Sequence, residues 1–382
     1  MTLVPRVPGL HFLHPGDLST RTGGYHYARK LLAVLKRRGV AAHVHRLADS
    51  FPSPDAAALE HAGRVLSGIA TGSLVVVDGL AFGAMAQSAA AHASRLKLIA
   101  LVHHPLALET GIGAAEATRL AASERAALAC ARAVVVTSPA TAAALHDYGV
   151  APSRITVVLP GTARPSVTAD AAAEGEGADD GEGAENGWEA RPRTAVSLLC
   201  VASLTPRKGH LDLVEALAGC GSRNADMSWR LLCIGSLERD AACAARIRAR
   251  IEALGLERQV ILAGERDEAG VARAYARADA FVLASHHEGY GMVLAEAIAH
   301  GLPVVSTTAG AIPDTVPAGA GLLVPPGDVE ALGRALARLI GQPALRRSLS
   351  LAARLAAASL PDWDAAAARF LALLRSLDES PR

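Results

Sequence analysis

The chain has 382 residues, which is enough for two domains that each bury a complete hydrophobic core. Its formal net charge is +1, so it lacks the basic excess expected of a protein that binds nucleic acid. No apolar run approaches the length of a membrane span, and prolines interrupt the first ten residues, where a signal peptide would need an apolar core.

The five cysteines are odd in number and scattered, and no two of them form a C-x-x-C pair. Most fall in apolar runs, so the sequence favours buried free thiols in a reducing compartment over disulfides or a metal site. Together with the missing signal peptide and membrane span, this predicts a cytoplasmic protein. The five positions are Cys130, Cys200, Cys220, Cys233 and Cys243.

The first part of the chain alternates short apolar runs with helical stretches, several of them rich in alanine. Continuous apolar runs are typical of parallel strands that are buried on both faces. The pattern therefore predicts a doubly wound α/β domain over residues 1–167, with ligands at the carboxyl ends of its strands. The predicted strands are residues 10–14, 41–47, 74–77, 98–102 and 133–136, and the predicted helices lie at 25–38, 80–93 and 114–130.

Two pairs of residues in this domain are candidates for a site. Gly23 and Gly24 stand between the first strand and the first helix, which suits a phosphate, although a tight turn is the simpler interpretation. Neither a Walker A sequence nor a G-x-G-x-x-G fingerprint is present, and this disfavours a dehydrogenase. His103 and His104 follow the fourth strand at the end where ligands bind, with a structural role as the alternative.

Residues 168–190 are rich in glycine, alanine and acidic side chains and contain few large apolar residues. Low hydrophobicity combined with charge of one sign predicts a disordered acidic linker over residues 168–193. A flexible connection between two domains is the favoured interpretation, and a regulatory insertion is the alternative.

A second α/β domain is predicted over residues 194–360, beginning with an apolar strand at 196–201. Arg207 and Lys208 stand side by side between this strand and the helix that follows it. The helix dipole disfavours cations at a helix start, so their position favours a binding role over a solvated pair. Further strands are predicted at 231–234, 260–263 and 280–284, and further helices from 329 and 344.

The stretch 285–297 carries the strongest signal in the sequence. It places glycines in a tight turn between a buried strand and a predicted helix at 292–300, where N–H groups and the helix dipole favour a phosphate. Glu288 precedes the turn, and Glu296 follows it in the helix. Such carboxylates are suited to accept hydrogen bonds from the hydroxyl groups of a ribose and a sugar. The alternative is a solvated loop acid with a first-turn acid that favours the dipole.

The C-terminal segment, residues 361–382, contains a last predicted helix at 365–377. Asp362 and Asp364 precede this helix and superficially resemble a metal-binding Asp-x-Asp pair. Their place before a helix instead predicts an N-cap and a first-turn acid.

The run from Glu288 to Val305 resembles the E-x7-E signature of retaining GT-B glycosyltransferases, especially glycosyltransferase family 4. The resemblance continues through 321–328, is strong over roughly 196–340, and is weaker but in the same order in the N-terminal half. It implies an α/β protein of the GT-B fold, with two Rossmann-like doubly wound parallel-sheet domains that face a central cleft. It also implies that the last helix crosses back to the N-terminal domain.

The resemblance implies which residues bind the donor's diphosphate. Lys208 matches the family's lysine, whereas Ser203 stands where the family has an arginine, and Arg207 is the candidate to supply that charge. The family uses no metal here, so we expect no cofactor. The other donor-binding residues implied are Gly23, Gly24, Gly289, Tyr290, Gly291, Met292 and Val293.

The resemblance also implies a reaction. A hexose-type sugar would pass, with retention of configuration, from a nucleotide-sugar donor to an acceptor that is a glycan, a lipid-linked sugar or a small molecule. Glu288 would orient the donor sugar and Glu296 would hold the ribose. His103 would act on the acceptor side, with His104 as the alternative register. The alternative function is a non-catalytic nucleotide-sugar-binding paralogue that serves as a partner or sensor, which the departure at Ser203 keeps open.

The predicted helix at 25–38 is basic on part of its surface. This pattern predicts either peripheral contact with the inner face of an anionic membrane that carries a lipid acceptor, or a solvated basic helix end. The residues concerned are Arg29, Lys30, Lys36, Arg37 and Arg38.

Overall fold

The computed structural model describes residues 9–109, 112–164, 195–221 and 228–379. The chain divides into two compact units, Met1–Gly161 with Pro361–Arg382, and Thr162–Leu360. The C-terminal segment thus groups with the first unit, although it follows the second unit in sequence. The predicted acidic linker at 168–193 lies outside the described residues. Each helix in the described ranges is too short or too polar to cross a lipid bilayer.

A parallel sheet of six strands forms the centre of the first unit. In chain order β1 to β6 are Leu10–Pro15, His43–Leu47, Leu74–Asp78, Lys97–Val102, Ala133–Val136 and Ile155–Val157. Their spatial order is β2-β1-β3-β4-β5-β6, so the direction of winding reverses between β1 and β3. In open parallel sheets, ligands bind at the carboxyl ends of the strands beside such a reversal.

Helices cover the sheet of the first unit. In chain order α1 to α6 are Gly23–Arg37, Ala56–Ser67, Gly79–Phe82, Ala86–His92, Ala114–Ala129 and Pro139–Ala144, and the C-terminal helix Trp363–Glu379 packs against α1. The apolar residues of β3 and β4 between these helices are almost wholly inaccessible to solvent, as expected of central parallel strands. Each fully buried valine or leucine contributes about 1.5–3 kcal/mol to stability, so these strands form the core.

Two helix predictions in this unit need correction. The first helix begins at Gly23 rather than at residue 25, because Thr22 caps it by accepting a hydrogen bond from the N–H of Tyr25. The helix predicted at 80–93 is two helices, α3 and α4, separated by residues 83–85. Gly83 ends α3, and a Cβ there would lie 2.7 Å from Cδ1 of Leu106. A larger residue here would require the side chains of Leu106 and Glu124 to shift, so glycine permits the close packing at the end of α3.

The second unit repeats the architecture with another parallel sheet of six strands. Strands β7 to β12 are Val196–Val201, Trp229–Ile234, Val260–Leu262, Ala280–Leu283, Val304–Thr307 and Gly321–Val324. Helices α7 to α13 are His210–Gly221, Ala241–Ala253, Glu268–Arg277, Met292–Ala299, Ile312–Thr315, Val329–Gly341 and Pro343–Ala357. One continuous apolar core joins this sheet to its helices.

The strand order of the second sheet determines where its loops meet. The order is β12-β11-β10-β7-β8-β9, so the winding reverses between β7 and β10. Phe281 of β10 pairs with Leu199 of β7 in the parallel register. The loops that leave the carboxyl ends of these two strands are therefore neighbours, and the candidate site residues of this unit lie on them or in the helix that follows β10.

Candidate active site

The loops after β7 and β10 are joined by their main chains at the reversal point. The N–H of His286 donates a hydrogen bond of 2.8 Å to the carbonyl oxygen of Arg207. Gly209 has φ +67°, and a Cβ at this position would lie 1.9 Å from the carbonyl oxygen of Ala284. This contact requires glycine, and it holds the turn Pro206–Lys208 against the end of β10.

Glu288 is the buried centre of this site. It is only 6% exposed, and its Oε1 lies 2.6 Å from Nζ of Lys208 and accepts a 2.6 Å hydrogen bond from Oγ of Ser285. Burial alone would raise the pKa of Glu288, but the charges of Lys208 and Arg207, with these hydrogen bonds, hold the pKa below its usual value. Glu288 is therefore an ionised hydrogen-bond acceptor.

Arg207 belongs to the same group. Its NH1 donates a 2.8 Å hydrogen bond to the carbonyl oxygen of His287 and lies 3.8 Å from Oε2 of Glu288. The guanidinium thus lies in this site although the family's arginine position is occupied by Ser203. Two cations facing one carboxylate leave an excess positive charge, which favours an anionic ligand.

Helix α10 begins at Met292, four residues after Glu288. Gly291 is its N-cap with φ +85°, and this glycine makes no side-chain cap hydrogen bond. The first N–H groups of an α-helix have no partner within the helix, so those of the first turn are oriented toward an incoming anion. The predicted donor-binding residues of this stretch all lie in the turn or in the first residues of α10. They are Gly289, Tyr290, Gly291, Met292 and Val293.

Two hydrogen bonds from elsewhere in the unit fix this turn. Ala311 donates its N–H to the carbonyl oxygen of Glu288 at 2.9 Å, and the hydroxyl of Thr315 donates to the carbonyl oxygen of Tyr290. The turn is therefore held by α11 and the loop before it. A main chain held in this way can present its N–H groups without reorganising when a ligand binds.

Glu296 lies in α10 and is oriented by a buried tyrosine. The hydroxyl of Tyr275 lies 3.0 Å from Oε2 of Glu296, and the tyrosine ring stacks on His300 with ring centroids 5.0 Å apart. Burial, reinforced by the charge of Glu296, raises the pKa of Tyr275 well above its usual value, so it stays a neutral donor. Glu296 is thus held in place by an orienting partner.

The first unit gathers a second group at the carboxyl ends of its central strands. His103 follows β4, and its Nε2 lies 3.7 Å from Oδ2 of Asp78, the last residue of β3. A Cβ on Gly24 would lie 3.2 Å from the His103 ring, so this glycine allows α1 to begin close to the histidine. Nothing lies within 4 Å of a Cβ on Gly23, which has no such packing constraint.

The two adjacent histidines have different surroundings. His104 pairs with Glu109 at 3.3 Å, whereas His103 faces Asp78 and Gly24. The main chain of His103 is fixed because the hydroxyl of Thr141 donates a 3.1 Å hydrogen bond to its carbonyl oxygen. Within this unit, His103 is therefore the histidine that lies beside the glycine pair.

Other charged residues of the first unit that were candidates from the sequence make hydrogen bonds or ion pairs within that unit. Arg29 donates a 3.0 Å hydrogen bond to the carbonyl oxygen of Thr20, and Arg38 binds Asp364 at 2.8 Å. Asp362 accepts a 2.7 Å hydrogen bond from the N–H of Ala365, which confirms its predicted capping role. The acidic pair at the start of the C-terminal helix is thus structural, and part of the basic surface of α1 makes intramolecular bonds.

Three residues of these sites were missed by sequence reasoning. Ser285 and Tyr275 orient Glu288 and Glu296, but nothing in their local pattern indicates this, because the contacts depend on the fold. Asp78 did carry a signal, since an acidic residue ends a fully buried strand at the edge where ligands bind.

Comparisons with known proteins identify the family. The model of glycosyl transferases group 1 matches residues 195–342, which include every site residue of the second unit. The model of glycosyltransferase family 4 matches residues 73–163, nearly all of them in the first unit and including His103. Both units of the chain thus match models of glycosyltransferases of the group 1 and family 4 type. The predicted family is thereby confirmed, with one model matching in each unit.

Named members of this glycosyltransferase group are similar over part of their length. The D-inositol 3-phosphate glycosyltransferase of Corynebacterium glutamicum is 29% identical over 197 residues, covering 51% of this chain and 46% of that protein. The putative colanic acid biosynthesis glycosyltransferase WcaL of Escherichia coli is 36% identical over 153 residues, covering 38% and 36%. The matches thus span about half or less of the length of these relatives.

Solved structures match nearly the whole chain. Sucrose-phosphate synthase from Thermosynechococcus elongatus superposes with a TM-score of 0.76 at 22% identity, over 96% of this chain and 99% of that one. Anabaena HepE, in complex with UDP and glucose, superposes with a TM-score of 0.71 at 17% identity, over 96% and 100%. These matches, with two sheets of six parallel strands, confirm the predicted GT-B fold of two Rossmann-like units.

Proposed function

We propose that this protein is a retaining, metal-independent glycosyltransferase that moves a hexose-type sugar from a nucleotide-sugar donor to a glycan, lipid or small-molecule acceptor. The observation that carries the proposal is the buried group of Lys208, Arg207 and Glu288 beside the open N-terminus of α10. It combines an excess of positive charge, oriented N–H groups and an ionised acceptor.

Each part of the group has a task in this reaction. The leaving nucleoside diphosphate gains negative charge as the glycosidic bond breaks, and Lys208, Arg207 and the N–H groups of the turn would stabilise that charge. Lys208 now pairs with Glu288, so on donor binding it would share its charge with the phosphate. Glu288 would then accept hydrogen bonds from hydroxyls of the donor sugar. Glu296, oriented by Tyr275, would hold the ribose.

The charge of the group supports catalysis without a metal ion. A divalent cation is commonly needed where a site must neutralise a diphosphate. Here Lys208 and Arg207 already supply two positive charges next to a helix N-terminus, whose dipole also favours an anion. Arg207 reaches the site from the β7 loop, so the serine at 203 does not leave it short of charge.

The donor and acceptor assignments rest on chemistry and similarity. HepE, a structural neighbour, has been observed with UDP-glucose, which supports a nucleotide sugar as the donor for this fold. We assign the acceptor-side role to His103 of the first unit, whose Nε2 lies 3.7 Å from Oδ2 of Asp78 and makes no hydrogen bond within the described residues. For a lipid acceptor, the basic residues of α1 would contact the anionic cytoplasmic face of a membrane.

A two-stage experiment tests the proposal. Thermal shifts are measured with UDP-, GDP- and ADP-sugars, and we expect one nucleotide class to raise Tm because ligand binding to the folded state is stabilising. Turnover of that donor is then followed by NMR with candidate acceptors, and the product should keep the anomeric configuration of the donor. Saturable donor binding without hydrolysis or transfer would instead establish the sensor function, and inversion would contradict the retaining mechanism.

A further inference from the structure

Two cysteines and a histidine meet in the interior of the second unit, apart from the donor site described above. Cys200 lies on β7, Cys233 lies on β8 and His210 is the first residue of α7. One ligand atom from each side chain lies within 4.8 Å of the other two. All three residues are buried, with exposed fractions of 0%, 2% and 2% for Cys200, His210 and Cys233.

The strand register brings the two sulfur atoms together. Cys200 and Cys233 are direct partners across the parallel pair of β7 and β8, so both side chains leave the sheet on the same face. Nε2 of His210 lies 3.7 Å from Sγ of Cys200. The sequence spacing hides this arrangement, because the three residues come from three different elements.

The 3.7 Å between Nε2 of His210 and Sγ of Cys200 fits one shared ion. Zinc–sulfur bonds of about 2.3 Å and zinc–nitrogen bonds of about 2.0–2.1 Å place two ligand atoms of one ion roughly 3.6–3.8 Å apart. A disulfide fits less well, because it needs Cβ atoms about 3.5–4.5 Å apart whereas neighbouring strands are about 4.7–4.9 Å apart. The register therefore accommodates a bridging ion without compressing the sheet.

The histidine supplies a second, independent observation. Its contact with the Cys200 sulfur is long, and its Nδ1 is buried without a hydrogen-bond partner. Burying a polar ring with so few hydrogen bonds is unfavourable unless another interaction compensates. A coordinate bond from Nε2 to a cation would replace the weak contact with sulfur and offset this cost, while Nδ1 would keep its proton without a partner.

We propose that Cys200, Cys233 and His210 form a binding site for one thiophilic d10 cation, Zn²⁺ or Cu⁺. Two sulfur ligands and one imidazole select such ions over Mg²⁺, Mn²⁺ or Ca²⁺, which prefer oxygen ligands. Because the site is closed to solvent, the ion would be acquired during folding. The assignment is independent of the proposed transfer reaction.

The site would brace the loop that carries the donor-binding cations. His210 follows Lys208 by two residues, and Gly209 between them packs on the carbonyl of Ala284. An ion bound to His210 would tie the start of α7 to both β7 and β8. Its role is to position the loop, and it takes no part at the reacting atoms.

The binding test uses the full chain refolded under reducing conditions with Zn²⁺, with Cu⁺ and without metal. We expect one equivalent of Zn²⁺ or Cu⁺ to remain after desalting, and Tm to rise by several degrees over the metal-free protein. Co²⁺ in place of Zn²⁺ should give thiolate-to-metal charge-transfer absorption. Which ion is retained distinguishes the two cations, and retention of neither overturns the proposal.

Matched variants locate the ion. Cys233→Ser and His210→Gln should each lose stoichiometric retention, whereas Cys220→Ser should keep it, because Cys220 is a buried thiol on α7 that instead contacts Ala216. Retention that is unchanged in Cys233→Ser and His210→Gln, or lost in Cys220→Ser, refutes this ligand set. Should the ligand variants fail to fold, X-ray absorption of the loaded wild-type protein still decides, since a first shell without sulfur contradicts the proposal.

Discussion

Replacing Lys208 separates its two roles, because this residue both neutralises a buried carboxylate and, in the proposed reaction, contacts the leaving diphosphate. Lys208→Met keeps the length and apolar stem of the side chain and removes the charge. Glu288 would then stay buried with Ser285 at 2.6 Å and Arg207 at 3.8 Å as its remaining partners. Breaking a buried ion pair in this way costs about 3–5 kcal/mol, and Arg207 places the expected loss toward the lower end.

The expected loss of transition-state stabilisation is similar in size to the loss of folding stability. A second substitution should restore the stability but not kcat. Removing one preorganised donor to a developing negative charge lowers kcat by ~100- to 1,000-fold. Adding Glu288→Gln to Lys208→Met removes the unpaired carboxylate, so most of the lost free energy of unfolding should return. The kcat should stay below that of Glu288→Gln alone, because the amide restores no cation for the diphosphate. Urea unfolding and donor turnover are measured on the wild type, both single variants and the double variant.

Two results would refute this reasoning. If kcat recovered together with stability in the double variant, Lys208 would act only by supporting the fold. If Lys208→Met left kcat near that of the wild type, another group would have to stabilise the diphosphate. A raised KM with unchanged kcat would mean that Lys208 binds the ground state and the transition state equally.

The remaining predictions concern the ribose contact, a buried acid and metal dependence. Glu296→Ala should raise the donor KM with a smaller effect on kcat, and Tyr275→Phe should raise it less, since it removes only the orienting hydroxyl. If Glu296→Ala and Tyr275→Phe lowered kcat to the same extent, the assignment of Glu296 to the ribose would be contradicted. Burial raises the pKa of Glu124 to about 7 from 4.5, so ionisation destabilises the fold as pH rises through this interval. Glu124→Gln should therefore raise the free energy of unfolding by up to ~3 kcal/mol at pH 8 in urea titrations, with no gain below about pH 4.5. Turnover should be unaffected by EDTA, and a loss that Mg²⁺ or Mn²⁺ restores would overturn metal independence.

Much of the fold followed from local patterns in the sequence. Continuous apolar runs identified strands such as 133–136 and 196–201 with the bounds that the structure has. Such runs are readable because a parallel strand buried on both faces needs apolar side chains at successive positions. The weak strands at Ile155–Val157 and Gly321–Val324 were not predicted, because their residues are partly exposed and the sheet supplies the hydrogen bonds that define them.

The sequence predicted individual features of the candidate site. The spacing of Glu288 and Glu296 around a glycine turn, and the cation pair at 207–208 before a helix, are local features of the chain. Their chemistry is unusual for solvated residues, since cations at a helix start oppose the dipole. The sequence by itself therefore determined the family, the two-domain architecture and most of the residues worth testing.

Only the tertiary structure decided which of these residues touch. Lys208 and Glu288 are eighty positions apart, and they meet because β7 and β10 are neighbours where the winding of the sheet reverses. The same kind of register places Cys200 opposite Cys233 and brings two scattered thiols together at the proposed ion site. Local patterns record which face of a strand or helix is buried. Contacts between distant elements depend on strand order, which the whole core determines together.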